Sequence, residues 1–308
     1  MIVDRESAVP NSLAIPAVAS FVAKIKSRSE ILEINNLAIK EGLPLIVIGE
    51  GTNIILRDYV KAVVAILDSA GTEINGNQIK IEGGEKWDDV VKISVENNLS
   101  GIEALSAIPG KSGAAPIQNI SAYGSEIADC LEDVEAYDKT KKEFVFLNKK
   151  ECQFGYRNSF FKKYPDRFIV ILTTLKLSKE KPKMPKYKGV EEYFEQKNNN
   201  SPTLKEIREA IIEIRRNKLP NPKIIPNAGS YFINPIINNK KIYAGELIEK
   251  AGLKGAKIGE IEISPKNALI LTNPNRAGFK EIKRAEDFIV QKVFQKFGII
   301  LEREPRII

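Results

Sequence analysis

The chain has 308 residues, 43% of them hydrophobic, enough for a substantial core and for an expected two domains. Histidine is absent and only two cysteines occur, so the commonest zinc ligands and the usual general base are missing; neither a metal site nor a Ser-His-Asp triad is expected. The 47 Lys and Arg outnumber 40 Asp and Glu to give +7, but the signs are interleaved throughout, which argues against a nucleic-acid stripe and leaves small anions such as diphosphates as partners.

No apolar run approaches the roughly 18 residues of a membrane span, and Met1-Ile-Val-Asp-Arg-Glu6 does not read as a signal peptide, so a cytoplasmic protein is expected. Cys130 and Cys152 form no CxxC pair and read as buried thiols in preference to a disulfide.

In chain order, Ile31, Leu32, Ile34, Leu37 and Ala38 repeat at helical spacing and predict a helix over 29–41. Leu43 to Leu56 reads as a buried strand, a glycine turn and a second apolar strand. The turn, Gly49-Glu-Gly-Thr-Asn53, lacks the G-x-G-x-x-G spacing of a Rossmann fingerprint, yet offers successive N–H groups suited to phosphate oxygens. Short strands are predicted at 63–67 and 78–82, and an amphipathic helix at 87–97.

Gly101 to Gly124 is the most informative segment, because it concentrates glycine, proline and small residues with almost no charge. Such backbone can approach a large, flat, polar-edged ligand closely, while an ordinary turn-rich connection has the same composition. Strands follow at 133–138, 143–147 and 167–177, interrupted by Phe154-Gly-Tyr-Arg-Asn-Ser-Phe-Phe161. Lys, Pro and Asn dominate 178–201 and periodicity is lost, which predicts a linker or mobile lid. A helix over 202–218 opens the second part of the chain. That part then carries Ala228-Gly-Ser-Tyr-Phe-Ile-Asn-Pro235, a helix at 244–251, strands at 261–264 and 268–272, and a long helix at 279–297. The pattern is α+β.

Seven segments, in this order, resemble the UDP-N-acetylenolpyruvoylglucosamine reductase (MurB) family of flavoenzymes. They are Asn11-Ser-Leu-Ala-Ile15; Gly49 to Asn53; Ile108 to Gly124; Phe154 to Ser159; Asn227 to Pro235; Ala244-Gly-Glu-Leu-Ile-Glu-Lys-Ala-Gly-Leu-Lys-Gly255; and Leu301-Glu-Arg-Glu-Pro-Arg-Ile-Ile308. The resemblance spans nearly the whole chain. It implies an α+β fold with a two-subdomain FAD-binding region of the vanillyl-alcohol-oxidase (PCMH) type at 1–201, divided near 67, and a substrate-binding domain at 202–308.

It also implies a reaction: NADPH reduces FAD, and hydride then passes to the enolpyruvyl double bond of UDP-N-acetylglucosamine enolpyruvate, giving UDP-N-acetylmuramate. Hydride addition leaves enolate character on the carbon bearing the carboxylate, so an acid for that carbon and an electrophile for that carboxylate are needed. Ser230 matches the family's proton donor, Arg157 its active-site arginine and Glu304 its terminal catalytic glutamate. Glu304 contacts the anion directly only if it carries or shares a proton. Flavin contacts are implied at Gly49, Glu50, Gly51, Thr52 and Asn53, and at Ser106, Pro109, Gly110, Gly113, Ala114, Gln118, Asn119, Ala122, Tyr123 and Gly124. Substrate contacts are implied at Tyr187, Lys218, Asn234 and Asn267, in a monomer.

Some positions depart from the family pattern. Asn158 stands for the usual Asp, carboxylates flank Gly83-Gly84 at Glu82 and Glu85, Asn267 replaces His or Gln, Pro305 replaces Val, and the Ile236–Tyr243 connection is short for members with a tyrosine lid. Two other readings compete: a different FAD-dependent oxidoreductase of this fold, and a non-catalytic regulator that binds a UDP-sugar.

Overall fold

Periodicity and capping explain the first helix. The computed structural model describes every residue except Asn239. In it, α1 (Arg28–Glu41) follows β1 (Val3–Ala8) and β2 (Val18–Ile25). The Ser27 hydroxyl accepts from Glu30 N–H, Gly42 ends the helix at φ 64°, and Ile31, Ile34 and Ala38 form its buried stripe. Next come β3 (Leu45–Ile48), β4 (Ile54–Ile55) and β5 (Tyr59–Leu67). β3 runs parallel to β5, with Leu45 beside Val63.

The chain divides into two compact units that alternate along the sequence. One comprises Met1–Val3, Ala23–Gly49 and Ala62–Arg215; the other comprises Asp4–Val22, Glu50–Lys61 and Arg216–Ile308.

The first unit continues with β6 (Thr72–Asn75), β7 (Gln78–Glu82), α2 (Trp87–Glu96), α3 (Ala114–Gln118), β8 (Ser121–Ala122), β9 (Ser125–Glu126), α4 (Ile127–Cys130), β10 (Leu131–Asp138), β11 (Glu143–Asn148), α5 (Phe160–Lys163) and β12 (Phe168–Lys176). An antiparallel sheet of order β11-β10-β12-β7-β6 is formed. Trp87, Val90 and Val91 of α2 join Ile79, Ile81, Val134 and Val170 of the sheet in one core, and the Trp87 indole N–H donates to Leu105 O at 3.0 Å. Cys130 and Cys152 are both free thiols, pushed by burial to about 11 and about 12.

The expected linker at 178–201 is not structureless. It holds α6 (Lys188–Gln196), whose Val190 and Phe194 are buried against Ile207, Ala210, Ile211 and Ile214 of α7 (Leu204–Lys218). Only these two apolar anchors, spaced i and i+4, mark the helix within a Lys- and Asn-rich stretch, which is why composition alone hides it.

The second unit adds β13 (Asn227–Ser230), β14 (Ile236–Ile237), β15 (Lys240–Lys241), α8 (Ala244–Lys250), β16 (Lys257–Ile258), β17 (Ile261–Ile263), β18 (Ile270–Thr272), α9 (Phe279–Phe297) and β19 (Arg306–Ile307). An antiparallel sheet of order β13-β18-β17-β16 forms there. α9 contacts β16 and β17 and buries Ile282, Ala285, Ile289 and Val293, a helical stripe. Terminal β19 pairs in parallel with β4, Arg306 beside Ile54. No helix among the described residues is long and apolar enough to cross a membrane.

Truncating Phe194, 2% exposed, to Ala is expected to cost about 3 kcal/mol in denaturant unfolding and to speed proteolysis within 178–201. Unchanged stability and cleavage would show that α6 does not depend on this anchor.

Candidate active site

The glycine-rich wall of the first unit is made by two backbone turns packed without side chains between them. Gly113 N–H donates to Gly83 O at 2.8 Å, and Gly83 N–H donates to Ile171 O at 2.5 Å. A Cβ at Gly113 would sit 2.8 Å from Val170 O, one at Gly83 would sit 2.7 Å from the same atom, and one at Gly84 would meet Ser69 N at 2.3 Å. These residues are glycine because backbone occupies the space, not because φ demands it. Lys111 ties the turns together: its ammonium donates to Gly84 O at 2.6 Å and pairs with Asp68 at 3.2 Å. Gly49 belongs to the same packing, since a Cβ there would lie 2.9 Å from the Lys111 side chain. A cleft opens beside Ile48, Gly49, Gly83, Gly113, Ala114 and Val170.

The rest of this wall spends most of its polar groups on itself. Ser106 is buried and donates to Glu103 O at 2.6 Å, and Gly110 O accepts from Trp87 N–H at 3.0 Å. Asn119, at φ 43°, caps α3 and donates to Gly155 O and Glu126. Pro109 and Gly124 are exposed, whereas Ala122 and Tyr123 are half-buried. Ala107 N–H, just upstream of Pro109, donates to Asp88 at 2.6 Å. Arg208 holds that carboxylate bidentately, at 2.7 and 3.0 Å. Burial raises the Asp88 carboxyl, but the hydrogen bonds from Arg208 and Ala107 outweigh it and hold the group below its usual range.

Arg157 is fixed against this wall. Its loop closes at the reciprocal Gly155–Asn158 backbone bonds, and Ser159 Oγ donates to Ile117 O at 2.7 Å. Arg157 itself takes φ 51°, and its Nη1 donates to Ser121 Oγ at 2.6 Å. Asn158, the departure from Asp, accepts from Ser159 N–H through Oδ1. Tyr187 stands edge-on to Tyr123 at 5.1 Å between ring centroids. Burial raises the Tyr123 phenol despite the neighbouring Arg215 guanidinium. Arg215 and Lys111 were not among the expected site residues; Lys111 lies inside a quoted motif, and Arg215 carried no local signal.

In the second unit, Asn11 shapes the loop 11–15: its Oδ1 accepts from Ile15 N–H and its Nδ2 donates to Val9 O and Ile15 O. Gly51 packs on this loop at φ 66°, where a Cβ would lie 2.5 Å from Pro10 O. Ser12 joins the loop to both sides, its N–H donating to Gly51 O and its carbonyl accepting from Asn227 N–H. Glu50, Thr52 and Asn53 are half-buried beside Gly51, and Asn53 O accepts from Arg306 N–H at 3.1 Å.

The segments that carry Ser230 and Glu304 pair here. Glu304 N–H donates to Tyr231 O at 2.9 Å, and Ile233 N–H donates to Glu302 O at 2.8 Å, so the Ser230 and Glu304 segments form one backbone ladder. Asn234 Oδ1 accepts from Ala244 N–H at the start of α8, and Asn267 Oδ1 accepts from Leu269 N–H in a turn. Lys218 lies exposed at the end of α7.

A flavin dinucleotide requires a wall open to close approach and a polar group left for its edge. The side-chain-free turns at Gly83 and Gly113 supply the first, and Gln118 Oε1, buried with no hydrogen-bond partner among the described residues, supplies the second. These residues fit FAD.

Comparison with known proteins agrees. The profile of an FAD binding domain matches residues 19–143, and that of the C-terminal domain of UDP-N-acetylenolpyruvoylglucosamine reductase matches residues 220–308. The UDP-N-acetylenolpyruvoylglucosamine reductase of Pseudomonas aeruginosa is 34% identical over 96% of this chain and 96% of its own length. That of Polynucleobacter asymbioticus is 36% identical over 97% and 94%. The crystal structure of the Thermus caldophilus reductase, 24% identical, shares the fold at a TM-score of 0.75 over 100% of this chain and 99% of its own. With this identity along nearly its whole length, the chain belongs to the UDP-N-acetylenolpyruvoylglucosamine reductase family.

Proposed function

We propose that the protein reduces the enolpyruvyl double bond of UDP-N-acetylglucosamine enolpyruvate to give UDP-N-acetylmuramate, a peptidoglycan precursor, using FAD and NADPH. The observation that carries the reading is the backbone ladder joining the Ser230 and Glu304 segments, in a chain whose relatives bear this activity's name. In this reading residues 1–201 bind FAD and 202–308 bind the UDP-sugar. The enzyme works in the cytoplasm and serves wall synthesis, cell shape and division.

Gly49 to Asn53 and the wall from Ser106 to Gly124 would hold FAD, and the buried, unpaired Gln118 Oε1 would be available to its polar edge. FAD bound there would supply the hydride chemistry, with NADPH as the source of the electrons. Charge then develops on the carbon that bears the carboxylate, and Ser230 Oγ gives that carbon its proton, the oxygen being reprotonated from water. A serine hydroxyl suffices because the acceptor is a strongly basic enolate. Arg157 holds the carboxylate with its planar guanidinium, its reach set by the bond to Ser121, and Glu304 polarises the same group through a shared proton. Lys218 offers a cation to the diphosphate, and Tyr187, Asn234 and Asn267 contact the remainder of the substrate. An oxidase of the same fold has no use for Ser230 or Glu304.

Ser230→Ala is expected to bind FAD and accept electrons from NADPH normally, yet to reoxidise with the enolpyruvyl UDP-sugar at least roughly a hundredfold more slowly in anaerobic stopped flow. Reoxidation at the normal rate would remove Ser230 from the chemistry. Arg157→Lys keeps the charge but loses the fork, and a drop of roughly a hundredfold in the same half-reaction is expected; wild-type rates would mean that charge alone is sufficient.

A further inference from the structure

Behind the Ser230–Glu304 ladder lies a buried carboxylate that the mechanism does not use. Glu286, on α9, is 6% exposed. Three donors converge on it: Tyr231 Oη at 2.8 Å, Arg303 Nη1 at 2.9 and 3.0 Å to its two oxygens, and Lys283 Nζ at 2.8 Å. Tyr231 is the residue after Ser230, and Arg303 is the residue before Glu304. Arg303 also donates from Nε to Pro305 O at 2.8 Å, so it spans Glu304 from both sides.

We propose that Glu286 is a positioning residue for the proposed proton-transfer site, fixing the spacing of Ser230 and Glu304 by gripping the side chain next to each. The inference rests on the assignment of Ser230 and Glu304 above. Two backbone bonds, Glu304 N–H to Tyr231 O and Ile233 N–H to Glu302 O, pair the main chains of the two segments but do not themselves fix side-chain positions. The Tyr231–Glu286–Arg303 bridge adds a rigid cross-tie anchored on a helix of 19 residues. A carboxylate is required: a Gln at 286 has one acceptor oxygen and would turn an NH2 toward donors. Burial pushes the Glu286 carboxyl up, but bonds from Lys283, Arg303 and Tyr231 outweigh this and hold it below the usual range. The Tyr231 phenol is raised by burial and by the charge of Glu286, and so remains a donor.

The test uses FAD-loaded full-length enzyme and anaerobic stopped flow on Tyr231→Phe, which deletes one bond of the bridge, and on Glu286→Gln. For both variants, reduction by NADPH within about twofold of wild type is expected. Reoxidation by the enolpyruvyl UDP-sugar should slow roughly tenfold in Tyr231→Phe and further in Glu286→Gln, with KM little changed. In a Ser230→Ala background, Tyr231→Phe should add less than about twofold, because the spacing of Ser230 to Glu304 no longer affects proton transfer once the Ser230 hydroxyl is gone. Equal slowing of both half-reactions, or the same tenfold loss with and without Ser230, would overturn the positioning role and leave a structural one. Should Glu286→Gln not fold, Tyr231→Phe decides alone. Normal reoxidation by Ser230→Ala itself would instead overturn the assignment beneath the proposal.

Discussion

Close approach of backbone to backbone is the constraint on which the cofactor wall depends. At Gly83, Gly84 and Gly113 a single methyl group has no room, so the turn after β7 and the turn before α3 stack with only main chain between them. This stacking sets the floor of the cleft beside Ile48 and Ala114. Lys111 then joins the turns through Gly84 O and Asp68, and Arg157 is hung on the same wall through Ser121. A larger residue at Gly113 would displace Val170 in β12 and the cleft with it.

The second unit solves a different problem, that of pairing two segments from distant parts of the sequence, those that carry Ser230 and Glu304. Ser230 ends β13 and Glu304 precedes β19, and the segments meet through hydrogen bonds between main chains. β19 in turn pairs with β4, and Asn53 O accepts from Arg306 N–H, so the loop assigned to the flavin and the segment bearing Glu304 share one register. Asn273, fully buried, donates to Leu13 O and Ala277 O, and thereby secures the loop that packs on Gly51.

What was legible in the sequence is what local backbone chemistry demands. Gly51 has φ 66° and no room for a Cβ, and helices α1, α7 and α9 carry regular buried stripes. The family resemblance rests on such positions, and the relatives bear it out. Strands β1 and β6 carry no apolar pattern because none of their residues is fully buried, and α6 has only two buried anchors in a charged stretch. Partners distant in sequence left no local trace: Asn273 reaches Leu13 across 260 positions and Glu286 reaches Tyr231 across 55. The alternation of the two units along the chain has the same origin, since Asp4–Val22 and Glu50–Lys61 join Arg216–Ile308 only in three dimensions.

The most direct test is the visible spectrum of the purified protein, followed anaerobically through one equivalent of NADPH and then one of UDP-N-acetylglucosamine enolpyruvate. A yellow protein that bleaches with NADPH and regains its colour with the UDP-sugar in the absence of oxygen is the predicted result. Bleaching that reverses only with oxygen would contradict the reductase and indicate an oxidase on the same fold; a colourless protein that takes up no FAD would contradict the account of the wall itself.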